Sequence, residues 1–226
     1  LFVATLCNQE NLLHFDKSGV RRIVEYGSRL SEHQDKLSSR FSEIANLVRE
    51  AVYWARKSEG KLVQAEHVEK AMDEKIYRNN KIEERLIELM AEGVLIVETS
   101  GEKVGQINGL AVLDTGDYRF GKPSRITATT YAGKAGVVNI ERETKMSGKI
   151  HEKAILILTN YLGSKYAVKK PVSLSASITF EQLYDIVEGD SATCAELYAL
   201  LSSIAGVPLR QNLSVTGSMD QNGIVQ

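Results

Sequence analysis

The amino-acid sequence predicts two domains of different class, a small all-helical bundle followed by an α+β domain. From about residue 20 to residue 91, apolar side chains recur every three or four positions and turn formers are few, which is the pattern of amphipathic helices. After residue 100, short apolar runs separated by glycine-containing turns indicate strands. This change of pattern places the predicted boundary near residue 100, between domains 1–100 and 101–226.

Three helices are predicted in the first domain. The first starts near Leu37 and has the most regular apolar stripe, and the serines within 38–42 followed by Glu43 are typical of a capped N-terminus. The second helix is predicted to start at 64–66, and the third covers about 79–91. Each helix has one apolar side, so the three are expected to pack as a small bundle.

A β-hairpin is predicted across the boundary between the two domains. Its strands are 94–99 and 104–112, which flank the turn Ser100–Gly101. The further predicted strands are 124–131, 136–141, 172–179 and 213–216.

Two helices are predicted among these strands. One covers 148–162 with Ser147 as its cap, and the other covers 192–205 and is ended by Gly206 and Pro208. Strands and helices together make the second half of the chain α+β.

The composition excludes several classes of function. The chain has 226 residues, 28 Lys+Arg against 29 Asp+Glu, and a formal net charge of -1. This balance does not supply the clustered positive charge that nucleic-acid binding requires. No run approaches the roughly 18 apolar residues of a membrane span, and the N-terminus lacks the basic-then-apolar plan of a secretory signal. We therefore expect a cytoplasmic protein with no membrane partner and no specific nucleic-acid partner.

No metal or nucleotide site is evident in the sequence. Cys7 and Cys194 are far apart, and the four histidines are scattered without the spacing of metal ligands. Lys122 follows Gly121, but the phosphate-loop pattern G-x-x-x-x-G-K-[ST] is absent. We expect no metal on this chain and no ATP binding by this chain alone.

The segment 188–196 carries the clearest chemical signal. An acidic, glycine-containing turn delivers Ser191 to the start of an apolar helix, whose amide groups and dipole favour negative charge beside it. Such a helix start could hold the oxyanion that forms when a hydroxyl attacks a carbonyl. No His or Lys lies within several residues of Ser191 to take its proton.

Helix capping is the structural alternative for the same serine. Ser and Thr are preferred N-cap residues, and Thr193–Glu196 fits the capping box [ST]-x-x-E. On spacing alone, a capping role for Ser191 is favoured over a catalytic one.

Four ordered motifs carry a resemblance to a known family. They are Val104–Val112, Ser147–Ala154, Glu188–Ala192, and Val215–Met219 together with Gly223–Gln226. In order and spacing they resemble the proteolytic domain of Lon proteases. The acidic form Gly-Asp-Ser-Ala is similar to the B-type branch and to bacterial Lon-related proteins.

The resemblance implies a serine-lysine dyad protease. Ser191 matches the nucleophile, and a lysine of lowered pKa would take its proton. Thr216 matches the threonine whose hydroxyl orients that lysine. Asp190 lies beside the nucleophile and is expected to steady the turn or compete for the lysine. Backbone amides near Ser191 are expected to form the oxyanion hole.

The first hundred residues resemble the helical lid of an AAA+ ATPase. Residues 36–51 and 62–68 carry this likeness, and Arg40 matches an arginine expected to reach nucleotide phosphates. An ordinary surface arginine is the alternative for Arg40. The resemblance further implies ATP bound by an upstream module, a homohexameric ring and unfolded proteins as substrates.

One departure from the family pattern leaves alternatives open. The family's lysine lies well beyond the threonine, after a Pro-Ile-Gly-Gly-like turn, whereas this sequence ends at Gln226, soon after Thr216. Because it also starts at Leu1 without methionine, we interpret it as a C-terminal fragment that is inactive by itself. The alternatives are a catalytically degenerate Lon-like scaffold and an ATP-independent Lon-like peptidase.

Overall fold

Helices form the N-terminal part of the chain, and a mixed sheet with helices forms the rest. A computed structural model describes residues 1–116, 118–167 and 173–226. They form two units, Leu1–Ile82 and Glu83–Gln226, each with its own apolar core. The predicted α+β class is confirmed. The units divide after Ile82, and the domain boundary near residue 100 stays a prediction.

Four helices form the first unit around a core dominated by α3. They are α1 (Phe2–Gln9), α2 (Lys17–Ser31), α3 (Phe41–Lys57) and α4 (Ala65–Asn79). Val48, Ala51 and Ala55 of α3 are completely buried, at the spacing of three and four residues that the sequence shows. A further helix, α5, spans Lys81–Ala91.

The start of α3 differs from the sequence prediction. The helix begins at Phe41 rather than near Leu37, and its N-cap residue, Arg40, makes no side-chain cap. Ser38 is held outside the helix because its amide donates to the carbonyl of Gly27 at 2.9 Å. The Ser38 hydroxyl accepts from the Arg40 amide, so the predicted serine cap is wrong.

A five-stranded sheet organises the second unit, in the order β4-β5-β3-β2-β7. Its strands are β2 (Gln106–Asp114), β3 (Arg119–Ala132), β4 (Gly136–Asn139), β5 (Leu174–Phe180) and β7 (Ser214–Val215). The pairs β2–β3 and β3–β5 are antiparallel, while β4–β5 and β2–β7 are parallel. Two short strands, β1 (Glu102–Lys103) and β6 (Leu209–Arg210), form a separate antiparallel pair. Residue 172 of the predicted strand 172–179 lies outside the described residues.

The predicted hairpin of 94–99 with 104–112 is wrong. Strand β2 pairs with β3, and 94–99 forms no regular strand. The side chain of Gln182 replaces the missing partner, because its oxygen accepts from the Ile96 amide and its nitrogen donates to the Val94 carbonyl. An apolar run can therefore mimic a strand when a side chain satisfies its backbone groups.

Three helices complete the second unit: α6 (Ile140–Glu143), α7 (Lys149–Tyr166) and α8 (Thr193–Ala205). Leu158 of α7 and Leu200 of α8 are fully buried in the core, together with Ile126 of β3 and Ile178 of β5. Within the described ranges, every helix is too short or too polar to cross a bilayer.

Candidate active site

Ser191 lies in an exposed turn immediately before α8. The backbone of Gly189 has φ of 88°, a left-handed conformation that glycine adopts without strain, and this bend brings Asp190 and Ser191 to the surface. Helix α8 begins at Thr193 with Ala192 as its N-cap residue, so the helix starts later than the sequence suggests. The Ser191 hydroxyl makes no hydrogen bond with any residue that the structure describes.

The predicted capping box at Thr193–Glu196 is wrong. The Thr193 hydroxyl donates to the Asp190 carbonyl at 2.5 Å instead of accepting from a helix amide. Glu196 is fully buried, and its Oε1 accepts from Asn139 Nδ2 at 3.2 Å. The methyl group of Ala192 cannot accept a hydrogen bond, and the Ser191 hydroxyl accepts none from the amides of α8. The geometry therefore does not support the capping alternative for Ser191.

On its downstream side, the serine turn is paired with the segment that follows β7. The Ser191 carbonyl accepts from the Gly217 amide at 2.6 Å and from the Thr216 hydroxyl at 3.3 Å. The Cys194 amide returns a hydrogen bond to the Gly217 carbonyl at 3.0 Å. These contacts bring Ser191 and Thr216 together, and both side chains are exposed.

On its upstream side, the turn is held at the start of α7. Val187 and Ser147 form an isolated parallel β-bridge. The carboxylate of Glu188 accepts a hydrogen bond from the Ile150 amide at 3.3 Å. A Cβ on residue 148 would lie 1.4 Å from Glu188 Oε2, so any larger residue there would displace the Glu188 carboxylate from the start of α7. The predicted cap of α7 by Ser147 is wrong, because Gly148 is the N-cap residue and Glu188 supplies the acceptor.

Two backbone amides beside the hydroxyl are free to bind an anion. Within the described ranges, the amides of Ser191 and Ala192 donate to no acceptor, whereas the Thr193 amide donates to Asp190 and the Cys194 amide to Gly217. Helix α8 has 13 residues, long enough for its dipole to place partial positive charge at this end. The arrangement can stabilise an oxyanion formed next to Ser191.

Asp190 and Arg40, the other two predicted site residues, are exposed. The Asp190 carboxylate makes no hydrogen bond or ion pair with the described residues, and its backbone carbonyl holds Thr193. Arg40 belongs to the other unit, at the N-cap of α3, and its guanidinium is likewise unpaired among the residues described. Both side chains are thus available to groups outside this chain.

Sequence reasoning missed a buried polar cluster behind the turn. It consists of Asn139, Glu141, His151 and Glu196, each at most 4% exposed. His151 Nε2 lies 3.6 Å from Glu196 Oε1, and Glu141 Oε1 accepts from the Thr179 hydroxyl and the Phe180 amide. A signal was present, because Glu196 is the one charged residue in α8 and stands among apolar ones.

Burial shifts the protonation of this cluster. Desolvation, aided by repulsion from Glu141, raises the pKa of Glu196 to about 8, so its carboxyl group is neutral at pH 7. Desolvation also lowers the pKa of His151, opposed by Glu141, the Gly189 backbone, Glu188 and Glu152. In the part of the chain that is described, no three His, Cys, Asp or Glu side chains are grouped to hold a metal ion.

Cys194 is adjacent to the site but is not poised as a nucleophile. It is buried, and desolvation raises the pKa of its thiol, so the thiolate is disfavoured. Its sulfur lies 3.7 Å from the Ser218 carbonyl. The exposed hydroxyl of Ser191, three residues earlier, is the accessible nucleophile at this turn.

Comparison with known proteins connects both units to one family. The model of the archaeal LonB AAA+ ATPase lid domain matches residues 14–78, which contain α2, α3 and all of α4 except Asn79. A Lon protease homolog of Escherichia coli is 36% identical over 170 residues, which cover 74% of this chain and 29% of that protein.

Two further relatives match almost the whole chain. A Lon protease homolog of Haemophilus influenzae is 30% identical over 219 residues, or 96% of this chain and 36% of that protein. The archaeal Lon protease of Archaeoglobus fulgidus is 28% identical over 213 residues, or 94% of this chain and 33% of that protein. The chain thus spans about a third of the length of these relatives, whose names denote peptidases. The chain belongs to the Lon protease family.

Proposed function

We propose that this chain is the lid and peptidase portion of a Lon-type, ATP-dependent serine protease that degrades unfolded proteins in the cytoplasm. One observation carries the proposal: the exposed Ser191 hydroxyl lies on a turn paired with the Thr216 segment, beside two unpaired backbone amides. A serine that only began a helix would cap it, and Ser191 does not. The names of the relatives add that the family is one of proteases.

In the proposed reaction, Ser191 Oγ attacks the carbonyl carbon of a peptide bond and its proton passes to a lysine. The oxyanion is held by the Ser191 and Ala192 amides, the C–N bond breaks, and the departing amine takes the proton. Water then adds to the acyl-enzyme ester, releasing the carboxylic acid product and restoring the Ser191 hydroxyl. We place the lysine after Thr216 in the longer protein, so this chain by itself is proposed to be inactive.

Thr216 and Asp190 are proposed to support this chemistry. The Thr216 hydroxyl already reaches the Ser191 carbonyl, so it fixes the serine turn and is near enough to orient a lysine beside the serine. Asp190 holds the first residue of α8 through its carbonyl, while its free carboxylate is available to pair with the incoming ammonium group. Pairing would raise the pKa of the lysine, so Asp190 would hold it in the ammonium form, which cannot take the proton of Ser191.

Arg40 is proposed to contact ATP bound by an upstream ATPase module. Its exposed, unpaired guanidinium fits recognition of a phosphate, because five N–H donors match phosphate oxygens. The lid also exposes Arg29, whose guanidinium makes no hydrogen bond or ion pair with a described residue. By likeness to the family, we assign the main ATP site to the longer protein. By likeness to the family, we also propose a homohexamer with the serine sites enclosed.

The serine assignment is tested by casein hydrolysis with the full-length protein and its Ser191→Ala variant. We expect loss of roughly 10⁴-fold or more in kcat, because the nucleophile is removed. Ser218→Ala is the matched control, since Ser218 lies in the neighbouring segment without an exposed side chain, and it should retain activity. Equal hydrolysis by wild type and Ser191→Ala would remove Ser191 from the mechanism, and no hydrolysis by either would favour a scaffold role.

A further inference from the structure

The buried pair His151 and Glu196 contacts both flanks of the serine turn. Glu196 stands five positions after Ser191 in α8, and its Oε1 lies 3.6 Å from His151 Nε2. On the other flank, the Gly189 backbone is near enough to His151 to stabilise the charged ring, although neither ring nitrogen makes a full hydrogen bond with a described residue. The fully buried ring thus lies between the chain before Ser191 and the helix after it.

Neighbouring elements fix the pair in place. Asn139 Oδ1 accepts from the Arg142 amide at 2.9 Å, so Asn139 Nδ2 is turned toward Glu196 Oε1. The rings of His151 and Phe180 pack edge to face, with their centroids 5.7 Å apart. His151 also follows Ile150, whose amide holds Glu188 of the serine turn. The pair therefore joins α7, β4 and β5 to the start of α8.

The charges around the pair make its protonation state important. Glu141 faces both residues of the pair, and Glu152 and Glu188 face His151. Glu141 is held in place, because its Oε1 accepts hydrogen bonds from the Thr179 hydroxyl and the Phe180 amide. A second negative charge on Glu196 would have no cation among these groups to balance it while His151 is neutral. Burying such a charge is costly, so the site favours a neutral Glu196.

We propose that His151 and Glu196 are positioning residues that hold Ser191 in place, and that they do so only while the Glu196 carboxyl group is neutral. The proposal rests on the proposed function for its effect on catalysis, whereas its effect on the order of the turn is independent of any activity. Ionised Glu196 would gain by reaching water, which requires the first turn of α8 to open. That opening would break the Cys194–Gly217 and Ser191–Gly217 hydrogen bonds.

The pH range for a test follows from the protons that Glu196 and His151 release or take up when the turn opens. Between its ordinary value of 4.5 and about 8, folded Glu196 keeps a proton that opening releases, so the opening equilibrium rises up to tenfold per pH unit. His151 has the opposite effect below its ordinary value of 6.5, because opening then lets the ring take up a proton. From pH 6.5 to 8, only the Glu196 effect remains.

The test is hydrogen exchange of the full-length protein, followed by mass spectrometry on peptides covering 189–197 and 214–219. After correction for intrinsic exchange, wild-type protection of both peptides should fall by roughly 15-fold between pH 6.5 and 8, since folded Glu196 is half ionised at about pH 8. In Glu196→Gln, whose amide cannot ionise, the fall should be below about threefold. A peptide covering 41–57 in the helical unit is the internal control and should behave alike in both proteins. An equal fall at the turn in wild type and Glu196→Gln would overturn the proposal.

Peptidase kinetics provide a second readout. The kcat of wild type should decline relative to that of Glu196→Gln above pH about 8, with KM unchanged, and Glu196→Leu should lose kcat at every pH. Parallel kcat profiles for wild type and Glu196→Gln would contradict the positioning role. If wild type and Ser191→Ala hydrolyse casein equally, the proposed function fails, and hydrogen exchange still decides whether the pair holds the turn.

Discussion

In the helical unit, Leu1–Ile82, the buried side chains among the described residues are apolar except for His67, whereas the second unit buries polar and charged side chains among apolar ones. Those of the second unit are Asn108, Ser124, Asn139, Glu141, His151, Ser175, Thr193, Glu196, Ser202 and Gln211. Helices satisfy their own backbone groups, so apolar stripes can pack without polar help. Short strands and turns leave backbone groups that buried side chains must satisfy, as Glu141 does for the Phe180 amide.

The two units also differ in where their charged side chains lie. In the helical unit, charged pairs such as Arg78–Glu50 lie at the surface. Both ring nitrogens of His67 are hydrogen-bonded, one to the Ser58 hydroxyl and the other to the Gln64 amide. In the second unit, the buried pair His151 and Glu196 lies behind the serine turn. The second unit is therefore expected to be the pH-sensitive one, and it is also the unit that carries the candidate site.

The largest expected effects test whether the apolar parts of the two cores are equivalent. Leu47→Ala in α3 and Leu158→Ala in α7 each remove a buried leucine side chain, and each should lower the free energy of unfolding of its unit by about 2–5 kcal/mol. Urea titration followed by Trp54 fluorescence reports the helical unit, since Trp54 is the single tryptophan. Exchange of β5 amides reports the second unit. A loss below about 1 kcal/mol in either unit would show that its core relaxes around the cavity.

The next largest effect is the pH dependence of the unfolding free energy, which should differ between the two units. Because Glu196 keeps its proton in the folded state up to pH about 8, the second unit should lose about 2 kcal/mol of unfolding free energy between pH 6.5 and 8. Below pH 6.5, unfolding lets His151 take up a proton, which opposes the proton release from Glu196. The unfolding free energy should therefore change less with pH in that range. In Glu196→Gln the loss above pH 6.5 should disappear.

Urea titrations of the helical unit serve as the control for that pH series. The carboxylates of this unit with lowered pKa, such as Asp16 held by Ser18 and the Gly19 amide, titrate below the window. Trp54 fluorescence should therefore give the same urea midpoint at pH 6.5 and pH 8. A matching pH loss in both units would mean that the buried pair is not its source.

The smallest effect concerns the surface pairs. Arg78 Nη2 lies 2.7 Å from Glu50 Oε2, with both side chains partly exposed, so Arg78→Met should cost less than about 1 kcal/mol. Because salt screens exposed charges, the difference between Arg78→Met and wild type should shrink further in 1 M NaCl. The measurement is the urea midpoint by Trp54 fluorescence. A salt-independent loss would point to packing of the arginine stem instead of charge.

The helical stripe of α3, the class of both units, the family, and the serine and threonine that meet at the turn could all be predicted from the amino-acid sequence. These features depend on local periodicity or on short ordered motifs, which the chain carries without reference to distant contacts. The same patterns misassigned 94–99 and three helix caps, and in two of these cases a distant side chain decides the outcome. Gln182 satisfies 94–99, and Glu188 satisfies the start of α7.

The position of Glu196 in the core, by contrast, depends on contacts between elements that are distant in the sequence. From the sequence Glu196 fits a capping box at the helix surface, yet the fold turns it inward against Asn139 and His151. The physical reason is that α8 packs in the core on most of its circumference, so its one carboxyl group is buried and becomes neutral instead of capping. The apolar neighbours of Glu196 in α8 are compatible with burial, but the elements that pack around a charged residue decide whether it lies at the surface or in a core.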